Sequence, residues 1–210
     1  MGKLFENITK NNKEKICNFL ETLICTFPKN TNVFSKIKST IDLAYIEYGS
    51  IKIIKNDYNG NSTIVDTLYE GDIFGNLIFP ISNDDYELIA CEDTKIILFD
   101  YNLILNTSDV KYTYYNQFVR NLLKIMAKKV EENNDRLEIL SKRSIRDKLL
   151  EYFKISRKKT GSKIIYLPIS FTSLADYLVV DRSAMSREIK FLKDEGFIKV
   201  DNKKITILYW

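Results

Sequence analysis

Five side chains with hydrogen-bond donors lie close together near the C-terminus, at positions that fall on one face of a helix: Arg182, Ser183, Ser186, Arg187 and Lys190. The residues between them include an apolar set at helical spacing, so the opposite face of this helix is predicted to be buried. Guanidinium and hydroxyl donors match the acceptors that base edges present in the major groove of duplex DNA. The segment over about residues 181–193 is therefore interpreted as a helix that reads DNA.

The two arginines are the best candidates for reading a specific base. Each guanidinium can donate two hydrogen bonds to O6 and N7 of guanine, which contributes about 1–3 kcal/mol of discrimination. The two serines suit base edges or phosphates, and the lysine one turn further on is expected to contact the backbone. An alternative for Arg182 is an ordinary surface ion pair with Asp181 or Glu188, a kind of contact that contributes little to stability.

A shorter helix is predicted immediately before this one. Ser170 is placed to cap its N-terminus, where free N–H groups would face a DNA phosphate. Thr172 adds a hydroxyl that can contact the same phosphate. Two short helices that meet at a tight turn, the second with donors on its outer face, are typical of a helix-turn-helix.

Charge is distributed unevenly along the chain, although the net charge is only +4. The first 110 residues carry a net charge of −6 and the last 70 carry +8, and all seven arginines lie at or beyond position 120. Such segregation fits a chain whose last third meets a polyanion. The alternative is that a lysine-rich composition scatters charge without a functional reason.

Composition argues against several other classes of protein. Histidine is absent, which removes the commonest catalytic base and metal ligand. Cys17, Cys25 and Cys91 fit neither a disulfide framework nor a zinc site, so we expect no metal, no cofactor and a reducing cytoplasm. There is no apolar run of membrane-spanning length and no secretory signal, so no membrane partner is expected. No acid–base or nucleophile constellation is recognisable, so we expect no enzyme activity.

The first half of the chain is predicted to be a short helical segment followed by many strands. Residues 4–27 have helical spacing, and residues 33–100 contain short β runs at 44–46, 50–55, 63–68 and 95–100. Asn59 and Gly60 form a strong hairpin signal between two of these runs, because both residues tolerate positive φ. Regular turns between short strands predict a small barrel or jelly roll.

Residues 109–140 contain no Gly or Pro and are predicted to form one long helix. Apolar side chains and one Asn recur in steps of four and three, which is the heptad spacing of a two-helix coiled coil. This heptad stripe consists of Val119, Leu123, Met126, Val130, Asn133, Leu137 and Leu140. A second apolar stripe, Phe118, Leu122 and Ile125, predicts burial on an adjacent face. We therefore expect a homodimer, with a long helix packed only within its own chain as the alternative.

The remaining segments complete a C-terminal domain. Residues 141–144 interrupt the apolar pattern and are interpreted as a hinge, followed by a helix at 145–155, a basic loop at 157–163 and a strand at 164–169. The turn at 201–204 predicts a terminal hairpin that would be the wing of a winged helix. The predicted domains are therefore 1–108, a barrel, 109–140, a dimerisation helix, and 141–210, a winged helix-turn-helix, in an α+β fold.

The order of these elements resembles the CRP/FNR family, named for the cyclic AMP receptor protein and the fumarate-nitrate reductase regulator. In the barrel, residues 45–54 (YIEYGSIKII) and 68–75 (LYEGDIFG) resemble family turns and strands. Near the C-terminus, residues 167–170 (LPIS), 174–178 (LADYL) and 182–188 (RSAMSRE) match closely. The resemblance implies a homodimeric transcription regulator with a cyclic-nucleotide-binding-like β-roll that binds a palindromic operator, with RNA polymerase as a possible partner.

Departures from the family pattern limit what can be carried over. Members usually have Gly between the two recognition helices, where this chain has Val179, so either the turn differs or Val179 avoids positive φ. Many members read cytosine with Glu at the position of Ser183, so their operators cannot be assumed here. In members that bind cyclic nucleotides, Glu follows the barrel Gly and an Arg neutralises the phosphate. Here Asn76 follows Gly75 and no Arg precedes residue 120.

The usual mode of cyclic nucleotide binding is therefore not expected. Three Cys cannot hold a four-Cys iron–sulfur cluster, and haem-binding members use an axial His that is missing. The alternatives left are an unidentified small molecule, thiol redox chemistry, or no effector. A second hypothesis for the whole chain is an interaction module whose winged helix binds protein instead of DNA.

Overall fold

A computed structural model describes most of the chain: residues 4–37, 41–56, 58, 60, 62–78, 85–106 and 112–209. The chain divides into two compact units, residues 1–129 and residues 130–210. The predicted boundary at 108/109 lies outside the described residues, and the long helix belongs to both units. No helix in the described ranges is both long enough and apolar enough to cross a membrane.

The N-terminal segment is only partly helical. Helix α1 (Lys10–Phe19) begins at an N-cap, Thr9, and ends where Glu21 adopts a φ of 47°. Strand β1 (Leu23–Phe27) follows and pairs antiparallel along its whole length with a later strand. The prediction of one helix over 4–27 was therefore right only for residues 10–19, and its last five residues form a strand because pairing with a distant strand outweighed a helical spacing of apolar residues.

Six further strands complete a roll of two antiparallel sheets: β2 (Leu43–Tyr48), β3 (Ser50–Asn56), β4 (Ser62–Tyr69), β5 (Ile73–Phe74), β6 (Tyr86–Ala90) and β7 (Thr94–Phe99). One sheet has the order β1-β7-β2-β5 and the other β4-β3-β6. The four predicted β runs correspond to β2, β3, β4 and β7, whereas β5 and β6 were not predicted. Asn59 lies outside the described residues, but β3 and β4 on either side pair as a hairpin.

The interior of the roll is apolar, and the backbone approaches Gly75 too closely for a side chain there. Thirteen buried side chains, six of them Ile, form one cluster that includes residues of both sheets. Gly75 adopts a φ of +121°, and a Cβ there would lie 2.6 Å from the backbone oxygen of Asp42. No other residue fits that turn without moving the backbone.

Two helices follow the roll: α2 (Tyr101–Leu105) and the long α3 (Thr113–Leu140). The predicted second apolar stripe of α3 is buried, with Phe118 at 0% and Leu122 at 5% exposure, in a cluster with residues of β2 and β7. The amide of Asn121 is buried beside them and donates to the carbonyl oxygens of Leu4 and Glu6 at 3.0 and 2.9 Å. These bonds attach the N-terminal segment to the first half of α3.

The C-terminal unit is a three-helix domain with a small sheet. Its elements are α4 (Ile145–Thr160), β8 (Ile164–Tyr166), α5 (Phe171–Leu178), α6 (Arg182–Asp194), β9 (Ile198–Asp201) and β10 (Lys204–Ile207). The strands pair in the order β8-β10-β9. Residues 157–160 of the predicted basic loop are instead the last turn of α4, which ends at a left-handed cap at Gly161, and only 161–163 form the loop. Strand β8 is also shorter than the predicted 164–169.

Each of these helices and strands contributes buried side chains to the core of this unit. Phe153, Leu174 and Leu192 are fully buried, and Ile139 from the end of α3 joins the same cluster. Ser144 caps α4 by accepting from the N–H of Asp147, which confirms that a new helix begins after the interruption at 141–144. The end of α3 is thus packed into the C-terminal unit.

Candidate nucleic-acid interface

Helix α6 has one buried and one exposed face. Met185, Ile189 and Leu192 point into the core, with exposures of 0, 7 and 0%. The predicted donors are all exposed: Arg182, Ser183, Ser186, Arg187 and Lys190. The helical spacing therefore gave the correct orientation of this helix.

The alternative assignment for Arg182, an ion pair with a neighbouring carboxylate, is not what the structure contains. Asp181 is the N-cap of α6 and accepts from the N–H of Ala184 at 2.7 Å. Glu188 is paired with Arg146, at 3.4 Å. Within the part of the chain that the structure describes, neither Arg182 nor Arg187 has a hydrogen-bond or ion-pair partner. Both guanidinium groups can therefore meet an external acceptor.

Helix α5 begins at Ser170, as predicted. The Ser170 hydroxyl accepts from the N–H of Ser173 at 3.0 Å, so this oxygen is occupied by capping. Thr172 is exposed in the first turn. The remaining N–H groups of that turn and the Thr172 hydroxyl are what this helix can offer to a phosphate.

The turn between α5 and α6 keeps the left-handed geometry for which glycine is the usual residue. Val179 has a φ of +53° and a ψ of 58°, so it neither alters the turn nor avoids positive φ. A β-branched residue in this conformation costs about 1–2 kcal/mol. Both predicted alternatives for Val179 were wrong, and the chain carries the strain.

Replacing Val179 with Gly is expected to stabilise the protein by about 0.5–1 kcal/mol. Glycine relieves the strain of the left-handed conformation. This gain in free energy is larger than the entropic cost that arises because glycine makes the unfolded chain more flexible. Because Val179 is 63% exposed, little buried area is lost. Urea unfolding would measure the gain, and Val179→Asn should also stabilise, since Asn tolerates the same conformation. A loss of stability in both variants would contradict this account of the turn.

The terminal hairpin has the two-residue turn expected of a wing. Strands β9 and β10 pair from Asp201 and Lys204, and Asn202 between them adopts a φ of 51°. Lys203 is exposed at the tip, while its backbone oxygen accepts from the N–H of Leu167 at 2.9 Å. Lys203 was not among the predicted site residues, although the turn that contains it was predicted to be the wing.

Two basic residues of α4 contact the recognition helices and were not predicted. Lys148 donates to the carbonyl oxygen of Leu178, at the end of α5, at 3.1 Å. Arg146 binds carboxylates of α6 and of the residue that caps its C-terminus. Neither contact could be read from sequence, because the partners are 30 or more residues apart.

The heptad stripe of α3 is partly uncovered. Leu123, Val130 and Leu137 follow one another at intervals of seven and are 60, 58 and 65% exposed. Val119 and Met126 are half-buried against the chain's own N-terminal core, and Asn133 is exposed. Exposed leucine and valine side chains at heptad spacing are of the kind that often mark protein–protein contacts.

Burial disfavours the reactive thiolate form at two of the three cysteines. Burial raises the pKa of the Cys17 and Cys25 thiols, which lowers the fraction of reactive thiolate. All three cysteines are unpaired.

Two family models match this chain. Residues 24–108 match a cyclic nucleotide-binding domain, and residues 146–210 match a Crp-like helix-turn-helix domain. Together the matched segments cover more than two thirds of the chain, in the order seen in the fold. The chain belongs to the CRP/FNR family. It is a transcription regulator with a helix-turn-helix DNA-binding domain, and the family consists of regulators and not of enzymes.

Individual relatives agree with this assignment. The regulator is 25% identical to ycf28 of Porphyra purpurea, described as an HTH-type transcriptional regulator, over 98% of this chain and 91% of that protein. It resembles CprK, solved in complex with OCPA, at 18% identity and a TM-score of 0.68, over 92% of this chain and 89% of that one. It also resembles CLP, the c-di-GMP responsive regulator of Xanthomonas campestris, at 18% identity and a TM-score of 0.54, over 94 and 100%. At such identities the structures show a shared fold.

Proposed function

We propose that this regulator acts as a homodimer that binds a palindromic DNA operator in a sequence-specific manner. The observation that carries the proposal is the outer face of α6, where Arg182 and Arg187 are exposed and have no partner among the described residues. An arginine held on a rigid helix and left without an internal acceptor suits bidentate recognition of guanine. Members of the family bind DNA and form dimers.

The remaining hydrogen-bond donors are assigned either to DNA bases or to DNA phosphates. Ser183 and Ser186 lie beside the arginines and can reach base edges or phosphates. Lys190 and Thr172 are assigned to phosphates, together with the capped N-terminus of α5. Phosphate contacts fix the register of the helix in the groove, and base contacts supply the preference.

Dimerisation is proposed to occur along α3. The row of Leu123, Val130 and Leu137 has the heptad period of a two-helix coiled coil, and Asn133 lies where a polar residue would fix register. A two-fold dimer places two copies of α6 in successive major grooves, about 34–36 Å apart. The operator should therefore be an inverted repeat with half-sites one helical turn apart.

The effector, if the regulator has one, is not proposed to be cyclic AMP bound in the usual family mode. Asn76 stands where cyclic-nucleotide binders have Glu, and no arginine of the roll is available to neutralise a phosphate. Asp85 and Glu87 would repel one, and Asp84 beside them lies outside the described residues. CprK and CLP are described with different small molecules, so the shared fold leaves the effector open.

Selection of bound fragments from the parent genome, followed by footprinting, tests this function. The expected result is an enriched set of fragments that share an inverted repeat, with protection of two half-sites on one face of the duplex. Repeating the selection with cell metabolites would reveal an effector as fragments enriched only in their presence. Binding without preference for any fragment would favour the alternative, a winged helix that binds protein.

A further inference from the structure

Arg146, in the first turn of α4, binds two carboxylates of the α6 segment at once. Its Nη1 donates to Oε1 of Glu195 at 3.0 Å and to Oε1 of Glu188 at 3.4 Å, and its Nη2 donates to Oε2 of Glu195. The guanidinium carbon lies 5.2 Å from the centroid of the Phe197 ring. A carboxylate bound through both nitrogens is fixed in orientation as well as in position.

The cluster is half-shielded from water. The side chains of Arg146 and Glu188 are 32 and 21% exposed, and that of Glu195 is 46% exposed. The hydrogen bond from Arg146 lowers the pKa of the Glu195 carboxyl, and Arg146 has its own pKa raised by the same bond. Arg146 and Glu195 are therefore both charged at neutral pH, the condition under which DNA binding would be measured.

The apolar contacts of α6 decide which face is buried but include no directional bond. Met185, Ile189 and Leu192 form a narrow buried stripe, and because hydrophobic contacts are non-directional, they restrain small rotations about the helix axis less sharply than hydrogen bonds do. Glu188 and Glu195 are seven residues apart, two turns along the side of the helix that faces α4. Hydrogen bonds to these two carboxylates hold the helix at two positions along its axis. Together they oppose rotation of α6 about that axis, which a single hydrogen bond would not.

We propose that Arg146 is a positioning residue for DNA recognition, which fixes the rotation of α6 so that its outer donors meet base edges. The proposal rests on the proposed function of α6, and Arg146 itself need not touch DNA. A second, purely electrostatic role must be separated from it, because Arg146 also neutralises two carboxylates on the helix that approaches the phosphates.

The two roles predict different outcomes for one variant, and the ratio of specific to random binding distinguishes them. Glu188→Gln with Glu195→Gln removes two negative charges from α6, so electrostatics alone would tighten binding to every DNA sequence. Loss of positioning should instead lower the ratio of specific to random binding about three- to tenfold, while binding to random DNA tightens. Asp194→Asn is the matched control, since Asp194 is exposed on the same helix and has no partner in the described ranges. It should tighten both kinds of binding equally.

A second measurement does not depend on DNA. In the free protein, amide hydrogen exchange along α6 should be faster in the double variant and unchanged in Asp194→Asn. Arg146→Lys, which keeps the charge and loses the two-nitrogen geometry, should show the same rise in exchange and the same fall in discrimination. An unchanged ratio or unchanged exchange in the double variant overturns the proposal. If the wild type prefers no DNA fragment, the proposed function fails, and exchange alone decides whether Arg146 holds α6.

Discussion

Arg187→Ala is expected to weaken binding to the preferred operator by about 10- to 100-fold per half-site, corresponding to about 1–3 kcal/mol. The guanidinium is exposed, has no acceptor among the described residues and lies in the second turn of a helix with a capped N-terminus. Its removal should also flatten the base preference at one position of each half-site. Competition with operators that carry single base changes would measure both effects.

Lys190→Ala is the informative control for this prediction. Lys190 is exposed on the same face and is assigned to a phosphate. Its loss should weaken binding to all sequences alike and reduce the slope of log affinity against log salt by about one. If Arg187→Ala behaves like Lys190→Ala, with equal loss on specific and random DNA, Arg187 is a phosphate contact and not a reader of bases.

Val130→Glu combined with Leu137→Glu is expected to abolish the dimer at micromolar concentration. Both side chains lie in the exposed heptad stripe, so each subunit would bring two carboxylates into an apolar contact. Burial of an unpaired charge costs about 3 kcal/mol or more, which raises the dissociation constant at least about 100-fold. Sedimentation equilibrium would report monomers, and binding to a full operator should fall to that of a half-site.

Lys124→Glu provides the matched comparison. Lys124 is exposed on α3 but lies away from the heptad stripe, so the same new carboxylate there should leave the dimer intact. The folded state of both variants can be compared by circular dichroism. A double variant that remains dimeric would show that the two subunits meet elsewhere and that the exposed leucines serve another purpose.

Local sequence patterns were sufficient for the elements that depend on local contacts. The faces of α3 and α6, the caps at Ser144 and Ser170 and four strands of the roll follow from periodicity and capping chemistry. For β1, whose structure is decided by pairing with a distant strand, sequence reasoning failed. Leu23–Phe27 has a helical spacing of apolar residues but becomes an edge strand because β7 is available to pair with it.

The sequence was sufficient to predict which side chains α6 exposes, but not the contacts that hold this helix in place. The exposed donors of α6 could be identified because they repeat at helical spacing. The contacts of Arg146 with Glu188 and Glu195 join residues 42 and 49 positions apart, which no local pattern indicates. Val179 is a different case. The sequence showed a β-branched residue where glycine is usual, and the structure keeps the left-handed φ at that position although it is strained.

The most direct test of the central claim is a titration of the full chain against one enriched genomic fragment and against random DNA of equal length, over a series of salt concentrations. An α6 that reads base edges should bind the enriched fragment at least about 10³-fold more tightly at physiological salt. Both affinities should fall as salt rises, because both include phosphate contacts. Equal affinities for the two DNAs at every salt concentration would contradict the account.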